Sequence, residues 1–248
     1  MNILVTRPSP AGEELVFQLT SHGKKAWHLP LITCYPSKHL MSLTTKLNHL
    51  SAGDLLFTIS QHAINYANSW LKISGTIWPS TLNYYSIGRS SGLLMNKLTG
   101  CFINFPKKNE TSEELLQLPS LNHINGKRIL ILNSKNGRNI LEKTLKKKGG
   151  QVDVCECYYR NPINYNGEEQ AHRIIKLGIN TLVITSGEML QQLYYLLPKK
   201  YHTSWLLKCK LIVVSKRLAL QGYQLGWQDI LITKQANNTS LLKTILKI

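Results

Sequence analysis

Short apolar runs alternate with helix-length segments from one end of this chain to the other, and that alternation narrows the fold more than any single motif does. The runs "NILVT", "DLLFT", "RILIL", "TLVIT", "LIVVS" and "DILIT" are too short for helices and are rich in Ile, Leu and Val. Each leads into a segment with helical spacing or helix-start signals. Strands separated by helices imply parallel pairing, because a parallel neighbour can be reached only through a crossover. The expected class is therefore α/β.

Local signals place the elements. After "NILVT", Ser9 is expected to cap a helix with Pro10 in its first turn, Glu13 and Glu14 near its positive end, and Gly23 as its stop. Ala11, Leu15 and Leu19 form its apolar stripe. A helix from about Gln61 to Leu71 presents Ile64, Ala67 and Leu71 on one face. "YYSIG" leads to a helix in "SSGLLMNKL" and then to "CFINF". Thr111 to Glu114 has capping-box spacing. A helix beginning near Arg138 ends at Gly149-Gly150 before the strand "QVDVCECYY", and "SGEMLQQLYYLL", "KRLALQGYQLG" and a segment from about Thr239 supply the later helices.

The two halves resemble each other. "LLFTISQHAINYA" parallels "LVITSGEMLQQLY", and "YSIGRSSGLLMNKLTG" parallels "IVVSKRLALQGYQLG". The unit around "RILIL" finds its counterpart at the opposite end of the chain, around "NILVT". This circular duplication implies one domain formed by residues 1–34 plus 164–248 and a second formed by 38–155. The chain would cross between them at 33–37 and 157–162, where Pro36 and Pro162 stiffen it. Two adjacent crossings make a two-stranded hinge beside a cleft. A length of 248 residues accommodates two such domains.

Several function classes lose support. No apolar run approaches the ~20 residues that span a bilayer, and the N-terminus lacks the pattern of a signal peptide, so a cytoplasmic location is expected. The five cysteines, at 34, 101, 155, 157 and 209, are scattered and expected to be reduced. Cys155-x-Cys157 lacks the spacing and companions of a zinc site, and the histidines form no H-E-x-x-H, so no metal site is expected. There is no phosphate-binding glycine loop and no G-x-S-x-G elbow. A net charge of +17 favours acidic partners, but aromatic residues are not interleaved with a basic stripe, and nucleic-acid binding is not expected.

What remains is a recurrence of Ser and Thr where strands run into helices: Thr6-Arg7, Thr58 to Ser60, Ser90-Ser91, Thr185-Ser186-Gly187 and Ser215. Such residues are favoured helix caps. The same junctions lie at the carboxyl ends of parallel strands, where ligands bind and where free helix N–H groups suit carboxylates or phosphates. Composition leaves both readings open.

In order along the chain, "NILVTRPSPAGEEL", "AWHLPLI", "DLLFTISQHA", "IGRSSGLLM", "SEELLQLP", "GKRILIL", "CECYYR", "VITSGEMLQQL", "LLKCKLIVVSKRLA" and "LGWQDI" resemble the uroporphyrinogen-III synthase family of the enterobacterial kind. The resemblance implies two α/β domains joined by a two-stranded ladder, one of them discontinuous. It implies closure of the linear tetrapyrrole hydroxymethylbilane, with inversion of ring D and loss of water, to uroporphyrinogen III. No metal or organic cofactor is implied. A monomer is implied as well, with possible hand-over of substrate from hydroxymethylbilane synthase. A two-lobed anion-binding protein without chemistry is the alternative.

The family's hinge tyrosine corresponds to Tyr158, the expected catalytic group that hydrogen-bonds the leaving hydroxyl. Substrate binding is assigned to Arg7, Ser60, His62, Ser90, Ser91, Thr185, Ser186, Gly187 and Ser215. A family Thr-Ser pair is Ile59-Ser60 here, a G-x-x-T motif is Gly88-Arg89-Ser90-Ser91, and relatives' L-R-G is Leu132-Asn133-Ser134. Strand parity adds one expectation: Cys155, Cys157 and Tyr159 share one face, and Glu156, Tyr158 and Arg160 the other.

Overall fold

The computed structural model describes residues 1–135 and 139–248. In chain order the elements are β1 (Asn2–Val5), α1 (Ala11–Ser21), β2 (Lys25–His28), β3 (Ile32–Pro36), α2 (Leu43–Asn48), β4 (Leu55–Thr58), α3 (Gln61–Ile73), β5 (Asn83–Ser86), α4 (Arg89–Thr99), β6 (Ile103–Asn104) and α5 (Ser112–Leu116). There follow β7 (Arg128–Ser134), α6 (Ile140–Lys147), β8 (Gln151–Pro162), α7 (Gly167–Lys176), β9 (Thr181–Ile184), α8 (Gly187–Leu196), β10 (Lys210–Val213), α9 (Lys216–Leu225), β11 (Ile230–Ile232) and α10 (Asn238–Ile245). The fold is α/β, as the alternation of strands and helices requires. The helix expected near Arg138 is found as α6; Arg138 itself lies outside the described residues.

The chain divides into two units, Met1–Thr33 with Asn161–Ile248, and Cys34–Arg160. The divisions fall inside β3 and β8.

The first unit carries a five-stranded sheet in the order β11-β10-β9-β1-β2, with every neighbouring pair parallel. Alternation along β1 sends Leu4 to one face and Ile3 and Val5 to the other. Leu4 joins Leu182 and Ile184 of β9 under α7, α8 and α9, with Trp227 fully buried among them. Ile3 and Val5 meet Leu15 and Leu19 of α1 and Leu241 and Ile245 of α10. Helices thus cover both faces, and both faces of each inner strand read as apolar.

The second unit carries a six-stranded sheet, β3-β8-β7-β4-β5-β6. The pairs from β8 to β6 are parallel. Leu56, Tyr84, Leu130 and Leu132 pack under α2, α3 and α4. Leu55, Phe57, Ile129 and Ile131 pack under α5 and α6.

Helix starts follow the chain's polar punctuation in most places. Thr111 accepts from the Glu114 N–H at 3.2 Å, one half of the expected capping box. Ser9 departs from expectation. Helix α1 begins at Ala11 with Pro10 at the cap position, and the Ser9 hydroxyl instead donates to Glu13 Oε1 at 2.9 Å. With Pro10 at the cap position, Ser9 stands one residue too early to cap, and its hydroxyl turns to the Glu13 carboxylate four residues on.

Candidate active site

In each sheet the strand order reverses direction at one place. In the first unit β9, β10 and β11 run outward from one side of β1 while β2 lies on the other; in the second, β4 and β7 are neighbours from which β5-β6 and β8-β3 diverge. Helix N-termini at the carboxyl ends of such strands form the ligand-binding edge of open parallel sheets.

In the first unit Arg7 follows β1 and Thr185 follows β9, its neighbour. Arg7 is half-buried, and its Nη1 donates to Asn238 Oδ1 at the start of α10. Burial pushes its guanidinium down to about 10, against which Glu14 acts in the opposite sense. Thr185 donates to Met189 Sδ at 3.7 Å. Ser186 caps α8 by accepting from the Met189 N–H at 3.2 Å, and Ser215 caps α9 by accepting from the Leu218 N–H at 3.2 Å. Gly187 opens α8 beneath the Gln221 amide, where an added Cβ would lie 2.7 Å from Oε1.

In the second unit Ser60 caps α3. Its Oγ accepts from the Ala63 N–H at 3.1 Å and its hydroxyl donates to the Tyr158 phenol at 3.1 Å. Arg160 Nη2 also donates to that phenol, at 3.4 Å. His62 and Tyr66, in the first and second turns of α3, flank the Tyr158 ring at centroid distances of 5.5 and 6.0 Å. Tyr158 is 1% exposed. The phenol oxygen therefore accepts twice, and its own hydrogen remains for donation. Burial holds the Tyr66 phenol above its ordinary range, helped by Cys34, Tyr35 and Tyr158, and Tyr66 donates to the Cys34 carbonyl at 2.6 Å.

Tyr158 does not obey the parity expected of β8. Asn133 pairs with Glu156 and Ser134 pairs with Tyr158, so Cys157 is the extra residue of a bulge. The bulge resets the alternation. Tyr158 consequently joins Cys155, Cys157, Leu130 and Leu132 in one cluster instead of facing away from the cysteines. Its sharing of a side with Arg160 holds, and the two groups touch.

Ser90 and Ser91 sit in the first turn of α4, the former exposed and the latter buried. The N–H of Arg89 there is taken by the Glu110 carboxylate at 3.0 Å, so the chain supplies its own anion to this helix start. Asn133 accepts from the Ser134 N–H at 2.7 Å and is buried.

A family model described as uroporphyrinogen-III synthase HemD matches residues 13–243. Uroporphyrinogen-III synthase of Escherichia coli strain K12 is 47% identical over 245 residues, covering 99% of this chain and 100% of that protein. The chain belongs to the uroporphyrinogen-III synthase family. The same enzyme of Salmonella typhimurium is 46% identical over 245 residues, with 99% and 100% coverage. The solved uroporphyrinogen-III synthetase of Helicobacter pylori shares the fold, with a TM-score of 0.60 at 14% identity over 99% of this chain and 98% of that one. A mutant uroporphyrinogen III synthase of Thermus thermophilus does so at 0.61 and 14%, over 100% and 99%.

Within this uroporphyrinogen-III synthase fold, the second unit brings Ser60, His62 and Tyr158 together. Arg160 and Tyr66 complete the surroundings of Tyr158, while Glu110 occupies the start of α4; none of the three is among the site residues expected from sequence. Arg160 was within reach, since it stands two residues beyond Tyr158 on a strand. Glu110 was not, because it reaches α4 from a loop 21 residues away in sequence.

Proposed function

We infer that this chain closes hydroxymethylbilane to uroporphyrinogen III with inversion of ring D and loss of water. The observation that carries the inference is the 47% identity to a uroporphyrinogen-III synthase over 99% of the chain. Departure of the substrate's hydroxyl leaves an azafulvene; attack through a spiro intermediate and re-closure invert ring D. The substrate already eliminates and cyclises by itself to the type I isomer, so the protein's task is to hold the chain in one conformation and assist the leaving group.

Tyr158 is assigned the donor role toward that hydroxyl. Ser60 and Arg160 fix its oxygen and stabilise the partial negative charge that develops as its proton shifts. Because the phenol is buried, access to it requires movement of a neighbouring group. The substrate's carboxylates are assigned to Arg7, Ser60, His62, Ser90, Ser91, Thr185, Ser186, Gly187 and Ser215, together with the helix starts they occupy. At α4 a substrate carboxylate must displace Glu110. The passages of the chain through β3 and β8 are proposed as the hinge of the two-domain enzyme.

Among the described residues no helix is long and apolar enough to cross a membrane. A cytoplasmic monomer that receives substrate from hydroxymethylbilane synthase accords with the reaction. Incubation with freshly made hydroxymethylbilane, followed by resolution of the isomers, is expected to give type III. Type I alone overturns the inference and leaves a protein that only binds anions.

A further inference from the structure

A pocket of about 800 Å³ opens in the second unit between α3, the 3₁₀ turn Lys38–Ser42 and Tyr159 of β8. None of the residues assigned to substrate lines it. Tyr66 and Trp70, four residues apart on α3, put two rings on one helix face, and Tyr159 adds a third. Met41 and Ile73 stand at the lip 63% and 78% exposed and extend the apolar wall outward. The basic groups beside this apolar surface are Lys38, His39 and Lys135, and no carboxylate lines the pocket. Among the described residues neither Lys38 nor Lys135 is ion-paired.

Concavity of this volume suits a small molecule, since ligand pockets run to roughly 300–1,000 Å³. Three rings favour a flat apolar body, and unpaired cations at the edge of an apolar wall favour a negative group on that body. We propose that this pocket is a binding site for a compact aromatic carboxylate, whose ring system lies against Tyr66, Trp70 and Tyr159 and whose carboxylate faces Lys38, His39 and Lys135. Tyr66 borders both this pocket and Tyr158, but the proposal does not rest on the reaction inferred above, because it is read by binding and not by turnover.

The test titrates the full chain with 2-naphthoate, 2-naphthylmethanol and 2-naphthylmethylammonium, which share one body and differ in charge, with calorimetry as the readout. Naphthoate is expected to saturate one site, with the alcohol roughly tenfold weaker and the ammonium weaker still. Added salt should weaken naphthoate alone. The exposed double variant Lys38→Glu/Lys135→Glu should lose the preference for naphthoate while still binding the alcohol. Trp70→Ala should weaken all three; should it fail to fold, the double variant still decides. No binding of naphthoate, equal binding of the three probes, or undiminished naphthoate binding by the double variant overturns the proposal. So does self-association that the same variants abolish, which would give this surface to a second copy of the chain.

Discussion

Replacing Tyr158 by Phe removes one oxygen and leaves the ring between His62 and Tyr66. That oxygen accepts from Ser60 at 3.1 Å and from Arg160 at 3.4 Å, the second at the long end of hydrogen-bond range. Loss of the Ser60 bond is worth about 0.5–1.5 kcal/mol, and Ser60 still caps α3 through Ala63. A loss near the middle of that range lowers Tm by about 2–4 °C in a chain of this size. General acid assistance contributes about 10²–10⁴ in rate. Because the substrate can expel its hydroxyl unaided, the type III rate is expected to fall by the smaller figure, about 10²-fold. Type I then accumulates, since the released substrate cyclises by itself. Ser60→Ala should act differently: it uncaps α3 at a cost of about 1 kcal/mol yet leaves Arg160 on the phenol, so its rate loss is smaller and its melting shift at least as large. The assay is initial formation of each isomer from fresh hydroxymethylbilane, beside a thermal melt of each variant. A Tyr158→Phe protein that melts normally and forms type III at the parent rate removes Tyr158 from the mechanism.

Cys34 and Cys101 are half-buried, whereas Cys155, Cys157 and Cys209 are buried, and burial pushes the Cys209 thiol up to about 12. A thiol reagent should therefore label Cys34 and Cys101 first in the folded protein and all five in denaturant; early labelling of Cys155 or Cys157, located by mass spectrometry, contradicts the packing of the bulge. Tyr84 is buried, donates to the Pro79 carbonyl at 2.7 Å, and is held by burial well above its ordinary range, with Cys101 acting in the same sense. Above pH ~10 the unfolded chain loses this proton while the folded chain keeps it, so Tyr84 lowers stability progressively as pH rises. Tyr84→Phe should cost about 1 kcal/mol at neutral pH through the lost hydrogen bond, and the deficit should shrink in urea melts above pH ~10; a constant deficit refutes the assignment.

The sequence by itself determined the class of fold and most helix starts. Strand runs that are apolar on both faces can be satisfied only with helices on both sides, and Ser60, Ser186 and Ser215 cap their helices because a short hydroxyl beside an extended backbone reaches the free N–H groups wherever it occurs. Ile64, Ala67 and Leu71 are buried together for the same local reason, their spacing on a helix. Short edge strands such as β2 and β3, and helix α2, carry little periodic signal in four to six residues of mixed polarity; α7 does carry one, with Ala171 and Ile174 buried on one face, and is legible from spacing alone.

Tertiary structure alone decided the surroundings of Tyr158. The pattern of "VCECYYR" is that of a regular strand, and parity read from it set the tyrosine against the cysteines. The bulge at Cys157 exists because β8 is held by partners on both edges at once: Ser134 fixes Tyr158 on one side, and the Ser37 N–H binds the Cys157 carbonyl at 3.1 Å on the other. A register set by two neighbours from distant parts of the chain cannot be read from alternation within one of them. The placement of Glu110 on α4 follows the same logic. Local chemistry offers a helix start to any anion, and only the folded chain determines which one arrives.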